Sequence, residues 1–177
     1  MLKVESSLGV LTIDGKIDFN TIVKDLQNHI AKLLPKIISP YKNRPVQKIN
    51  NAFEYAITFK ETNKLLEVIY PDLHITNGSK ISGYYSTQSN QSSLDFQSKN
   101  ITFKGVSLKS CKVTNKVFKD SIQSLYSISE ISYNDSITLF NFQFDINGNA
   151  SKIQSSLSWD NSNHNKSVLN WFSTIKG

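Results

Sequence analysis

The chain has 177 residues, with 20 lysines and arginines against 14 acidic residues, a formal net charge of +6 and a pI near 9.3. That length supports one domain with its own core, and the single cysteine, Cys111, excludes an internal disulfide framework or a multi-cysteine zinc site. The basic balance invites a nucleic-acid reading, but the lysines fall singly and Arg44 is the only arginine, the preferred reader of phosphate and guanine, so no nucleic-acid partner is expected.

Residues 1–19 read as two strands. Leu2, Val4, Leu8 and Val10 share one parity and Leu11, Ile13, Ile17 and Phe19 the other, so a bulge or turn is expected near Gly9-Val10. Gly15 falls inside the second strand, where it eases a bend. Asn20 suits an N-cap, and Ile22, Val23, Leu26, Ile30, Leu33 and Leu34 recur at helical spacing before Pro35. Ile37 and Ile38 extend the same oily surface, giving an amphipathic helix over 20–38. Such a helix suits the mouth of a sheet; insertion at a membrane surface would want more lysine or arginine and a border aromatic. Residues 39–51, with Pro40 and Pro45, read as a loop.

Phe53, Tyr55, Ile57 and Phe59 then alternate with Glu54, Ala56, Thr58 and Lys60, a strand with one oily face. Thr62 can cap a short helix over 62–70 that carries Leu65, Leu66 and Ile69 and stops at Pro71. Asp72 to Ile75 is extended, Asn77-Gly78 signals a turn, and Lys80 to Tyr85 returns as a strand. Ser86 to Ser93 reads as a polar hairpin connection. Beyond Leu94 the chain reads as strands of about six to nine residues joined by polar turns of two to seven. Residues 116–123 read as a turn region with a short strand or bend at Val117. Leu125–Tyr133 and Ser136–Ile146 read as a hairpin, and Asn147-Gly148 introduces a strand with Ile153, Leu157 and Trp159. Val168–Ile175, carrying Trp171, is the last strand. Residues 52–177 are therefore an antiparallel meander, since no crossover is long enough for a parallel sheet.

No catalytic set emerges. His29, His74 and His164 lie far apart without a metal-ligand spacing. Asp25 and His29 are four residues apart on a helix, but no Gly-x-Ser-x-Gly elbow supplies a nucleophile. Asp14 and Asp18 share an outward strand face, Glu54 and Glu67 lack partners, and the seven glycines fall singly, without a phosphate loop. The expectation is a protein that is not an enzyme and uses no metal or cofactor. No run of about 18 apolar residues occurs, so no membrane span is expected, and Met1 to Val4 begins no signal-peptide apolar region.

What stands out is one-sided oiliness. Phe53, Tyr55, Ile57, Phe59, Phe140, Phe142, Phe144, Ile146, Leu157 and Trp159 give continuous apolar strand faces, with Trp171 beside them. Two architectures need this alternation. One is a closed β-sandwich, in which two such faces cover each other about 10 Å apart. The other is a long sheet curled into an open trough whose inside takes hydrocarbon, because burying apolar area yields about 25 cal/mol per Å² whichever molecule covers it.

The order of strand, short amphipathic helix, Pro71-Asp72-Leu73-His74-Ile75, Thr76-Asn77-Gly78-Ser79 and Lys80-Ile81-Ser82-Gly83 resembles the Bacteroidetes-type TamB proteins of the AsmA-like superfamily. Their members are several times longer and begin with a membrane-anchoring helix. The resemblance implies that residues 1–177 are a groove segment of a longer chain. It would be mostly β with short helical inserts, a long curved antiparallel sheet of the β-taco kind. It also implies a periplasmic place, a parent anchored in the inner membrane, and a groove conducting phospholipid acyl chains. The parent chain would support outer-membrane biogenesis and protein translocation and assembly, with an Omp85-type partner bound elsewhere on it. On this reading the ten residues named above line the groove, and Leu65, Leu66 and Ile69 cap it. The alternative is a periplasmic or extracellular β-sandwich binding glycans or protein partners.

Overall fold

The computed structural model describes residues 1–25, 50–134, 136–149, 151–161, 163 and 165–174. Its strands are β1 (Leu2–Glu5), β2 (Gly9–Lys16), β3 (Ala52–Phe59), β4 (Leu73–Ile75), β5 (Lys80–Ser86), β6 (Gln91–Phe103), β7 (Val106–Phe118), β8 (Ser121–Tyr133), β9 (Ile137–Asn149), β10 (Lys152–Asp160) and β11 (Lys166–Thr174). Two helices interrupt them, α1, described over residues 22–25, and the short α2 (Asn63–Ile69). All eleven strands belong to one open antiparallel sheet, in the order β1-β2-β3-β5-β6-β7-β8-β9-β10-β11, and β4 pairs with β6 off that path. The sheet is not closed into a barrel, so the long-sheet expectation holds. Among the described residues no second sheet covers it, which leaves the closed sandwich without its other half.

Tight turns hold this meander. Between β6 and β7 only Lys104 and Gly105 intervene, both left-handed at φ 46° and 79°, as a type I′ hairpin requires. Each lysine of the turns Lys104-Gly105 and Lys119-Asp120 folds back over the preceding ring, its nitrogen 5.4 Å from the centre of Phe103 or Phe118. The expected turn region at 116–123 therefore shrinks to Lys119-Asp120, with Val117 inside β7 and Ile122 inside β8. At the start of the chain, residues 6–8 form the turn, and β2 stops at Lys16, leaving Phe19 65% exposed. Gly15 does take a conformation reserved for glycine, φ 121°, where a Cβ would strike the Ala52 carbonyl.

At the α1 entry, the Asp18 carboxylate accepts from the Asn20 N–H at 2.9 Å, and the Asp18 carbonyl accepts from Ile22 at 2.9 Å. Asp18 thus takes the role expected of Asn20. Asn51, fully buried, joins this corner together. Its side-chain oxygen accepts from the Asp18 N–H at 2.6 Å, and its amide donates to Asp25 at 2.6 Å and Thr21 at 3.1 Å. Its backbone carbonyl accepts from Thr87, in the β5–β6 turn, at 2.9 Å. The expected helix and loop over 26–49, with His29, lie outside the described residues, as does His164.

Strands β6 to β9 are each 13 residues long, well beyond the six to nine expected, and each contains an irregularity at the same level. The ladder skips Lys99 opposite Ser110, Ser129 and Ile128 opposite Ser110 and Cys111, and Ser129 opposite Asn141; β9 and β10 then slip by one residue beside Trp159. Ser110 and Asn141 are left-handed here, both at φ 50°. On the other flank the seam runs into the loop between β4 and β5. There Thr76 donates to the Asn100 carbonyl from its backbone at 3.0 Å and its hydroxyl at 2.8 Å, and Ser79 donates to Ser98 at 2.8 Å.

The seam explains why the sequence reads as shorter strands. Apolar residues occupy one parity on one side (Leu94, Phe96; Val113; Tyr126, Ile128; Phe142, Phe144) and the other parity beyond it (Ile101, Phe103; Val106, Leu108; Ile131, Tyr133; Ile137, Leu139). One residue dropped from the pleat on each strand shifts the two-residue alternation by one, which keeps both apolar sets on one face.

Candidate functional site

The register assembles the apolar positions into rows that cross the sheet at right angles to the strands. The longest runs Val4, Leu11, Ile57, Ile81, Phe96, Val113, Tyr126, Phe144, Leu157, Leu169, one residue from each of ten strands, without a polar interruption. At about 4.8 Å per strand this strip is roughly 43 Å long. The adjacent row on the opposite face runs Glu5, Val10, Thr58, Lys80, Gln97, Lys112, Ser127, Gln143, Ser158, Val168, polar at all but two positions. One face of the sheet is therefore oily and the other wet.

Flanking rows thicken the strip. On one side lie Ile13, Tyr55 and Leu94, then Ile146 and Trp171; beyond them come Phe53, Tyr85, Val117, Ile122 and Ile153. On the other side Phe59, Cys111, Ile128 and Phe142 form a row beside the seam. Side chains here lean over neighbouring strands. The Phe144 and Trp171 rings stack at 5.7 Å although β10 separates their strands, passing above the small, buried Ser155. The Tyr55 hydroxyl crosses β5 to donate to the Ser93 carbonyl at 3.0 Å. Gly83 leaves room for that crossing, since a Cβ there would meet the Ser93 carbonyl and, at 2.7 Å, the Tyr55 hydroxyl.

These residues touch one another sideways but are covered by little. Only Ile22, Tyr85, Cys111, Val117 and Ile128 are buried apolar residues among those described, while Trp171 is 41% exposed. Burial raises the Tyr55 phenol, with Asp95 adding to the effect, raises the Cys111 thiol, and pushes Tyr85 up to about 12, with Asp25 as a second cause. Each is the signature of a group set into an oily surface. An open hollow of about 660 Å³ lies at the strand ends, lined by Ile122, Gly148, Ile153 and Phe172 among others.

Nine of the ten expected lining residues fall on this face. Phe140 departs: it lies across the seam, opposite Glu130 and Asp160, in the level of the Lys109–Glu130 ion pair at 2.7 Å. The left-handed Asn141 between Phe140 and Phe142 breaks the alternation on which the expectation rested. Leu139 and Ile137 take over the apolar parity there, opposite Ile131 and Tyr133. The expected cap also differs. No residue of α2 is buried, Leu65 and Ile69 are 44% and 55% exposed, and the helix packs along β4, where the Asn63 side chain accepts from the Ile75 N–H at 3.0 Å. A plug would be buried by what it fills. Thr62 holds the N-cap position without a side-chain capping bond.

Among the described residues no group of three His, Cys, Asp or Glu side chains could hold a metal ion, and no helix is long and apolar enough to cross a membrane. Asp25, the carboxylate paired in sequence with His29, is bound by Asn51, and His74 projects from β4 in an exposed position. Comparison of the chain with protein-family models, with curated proteins and with solved structures yields no match.

Proposed function

We propose that this chain is a hydrophobic-groove segment of the TamB type, whose oily face carries phospholipid acyl chains while head groups stay at the open side in water. The observation that carries the proposal is the ten-strand apolar row from Val4 to Leu169, backed by a polar face and left without a covering layer among the described residues. A continuous strip suits a cargo that slides, because no one position holds it: each stretch of hydrocarbon exchanges one set of aliphatic and aromatic contacts for the next at similar free energy. The resemblance over Pro71 to Gly83 adds the setting. The chain would work in the periplasm as part of a longer protein anchored in the inner membrane. That protein would support outer-membrane biogenesis and protein assembly, with an Omp85-type partner engaged elsewhere on it.

The test is native mass spectrometry of protein purified with its lipids, comparing the parent with Phe144→Asp and Gln143→Asp. The two substitutions place the same charge on adjacent residues of β9 that face opposite ways. Phospholipid adducts on the parent and on Gln143→Asp, but not on folded Phe144→Asp, are expected. A lipid-free parent, or equal lipid on both variants, sinks the proposal.

A further inference from the structure

The β4–β5 loop and the seam border a second hollow, of about 440 Å³, whose walls include Asn77, Gln97, Lys99, Ser110 and Lys112. Its form is fixed by the fold. Thr76 donates twice to the Asn100 carbonyl, and the buried hydroxyls of Ser79 and Ser98 lie 2.8 Å apart, so the loop is fastened to β6. The seam supplies the other wall, where the ladder skips Lys99 opposite Ser110 and Ser110 turns left-handed at φ 50°.

The chemistry of this hollow is one-sided. Among the described residues neither an acid nor an aromatic ring lines it. The side chains of Asn77, Gln97, Lys99, Ser110 and Lys112 make no hydrogen bond or ion pair with another described residue. Lys80 faces Gln97 from β5 as Lys112 does from β7, and it too has no acidic partner among the described residues. Charge gathers here because residues 96–119 carry six lysines and no acid. Carboxylates of β6 and β8 are engaged elsewhere: Asp95 accepts from Thr114 at 2.8 Å, and Glu130 pairs with Lys109 at 2.7 Å.

We propose that this hollow binds the phosphoryl group of a phosphate monoester, held between the Lys99 and Lys112 ammoniums with Lys80 adding a third charge beside them. Ammoniums gathered without a counter-charge set up a positive field that an anion relieves. A carboxylate brings one charge and two oxygens. A phosphoryl group brings nearly two charges and three acceptor oxygens, enough for both ammoniums and a carboxamide such as Gln97 at once. Lysine binds phosphate as a point charge, so no arginine fork is required. A single-stranded nucleic acid would want a ring on which to stack its bases, and the hollow offers none. The volume lies within the range of about 300–1,000 Å³ usual for small-ligand sites. The site stands on these polar side chains alone and is independent of the oily strip.

Two probes test it and separate the sources of such a group. Inorganic phosphate, titrated near pH 8 where it is a dianion, should shift the NMR amide signals of Gly78 and Ser110 to saturation. Lys99→Gln with Lys112→Gln should weaken that binding roughly ten-fold, while Lys104→Gln with Lys119→Gln, which removes the same charge at the turns, should leave it unchanged. That result assigns the site to a free phosphate ester. Phosphatidylcholine vesicles containing phosphatidic acid are the second probe. If they sediment the parent and the turn variant but not Lys99→Gln with Lys112→Gln, while free phosphate shifts nothing, the source is a lipid headgroup. If neither probe tells the two double variants apart, the lysines are only a solvated surface and the proposal is overturned.

Discussion

Tyr85 shows how much one side chain reports of its surroundings. It is 3% exposed, packed against Phe53 with ring centres 5.8 Å apart, and faces the Asp25 carboxylate that Asn51 holds. Burial first and Asp25 second favour the neutral phenol, pushing its pKa up to about 12 from an ordinary 10.0. The native state therefore keeps a proton that the unfolded chain releases above pH 10, so the stability due to this group is intact below pH 10 and lost as pH rises towards 12. Urea unfolding between about pH 9 and 11.5 should show a falling midpoint, with a shallower fall in Tyr85→Phe. Some slope should remain, because Tyr55 is raised in the same direction. An equal slope in both proteins would place the alkaline sensitivity elsewhere. Asn51 illustrates a residue whose importance sequence conceals. Nothing in the sequence distinguishes it from Asn50 beside it or from the chain's many other asparagines. Its role appears only when Asp18, Thr21, Asp25 and Thr87 converge on it in space.

At the scale of elements, the seam through β6 to β10 is the feature that separates reading from structure. The apolar positions themselves were legible: Leu94 and Phe96, Ile101 and Phe103, Val106 and Leu108 all sit in strands. Their joining was not, because a parity change between Phe96 and Ile101 looks the same whether the chain turns or stays in one strand with a residue out of the pleat. Turn chemistry is the better guide where glycine or asparagine marks it, as at Lys104-Gly105, and a poor one at Ser110, which has neither. A non-glycine residue held left-handed costs on the order of 1 kcal/mol, more when branched at Cβ. Ser110→Gly should therefore stabilise the protein by roughly 0.5–1 kcal/mol, and Ser110→Val should destabilise it by about 1–2 kcal/mol or more. Chemical denaturation reads both. The reverse order would mean that the seam is held by the Ser110 side chain and not by its backbone.

At the scale of the whole molecule, alternation within single strands foretold one oily face, but it could not say what lies opposite. A sandwich and an open sheet share the same pattern, and the choice depends on whether distant strands fold over or continue sideways. Here they continue sideways: the register between neighbours extends from β1 to β11 and aligns one apolar residue per strand into a strip. The short helix that sequence made into a plug instead flanks β4, since its seven residues are occupied by the detour between β3 and β5. The central claim is that hydrocarbon lies along this strip, and the chain's two tryptophans stand at one end of it, Trp159 and Trp171, on β10 and β11. Their fluorescence, followed while protein is loaded with phospholipid brominated along the acyl chain, reads contact with the chains directly. Strong quenching relative to the same lipid without bromine, lost in Phe144→Asp, is the predicted result; emission unchanged by brominated lipid at saturating load would contradict it.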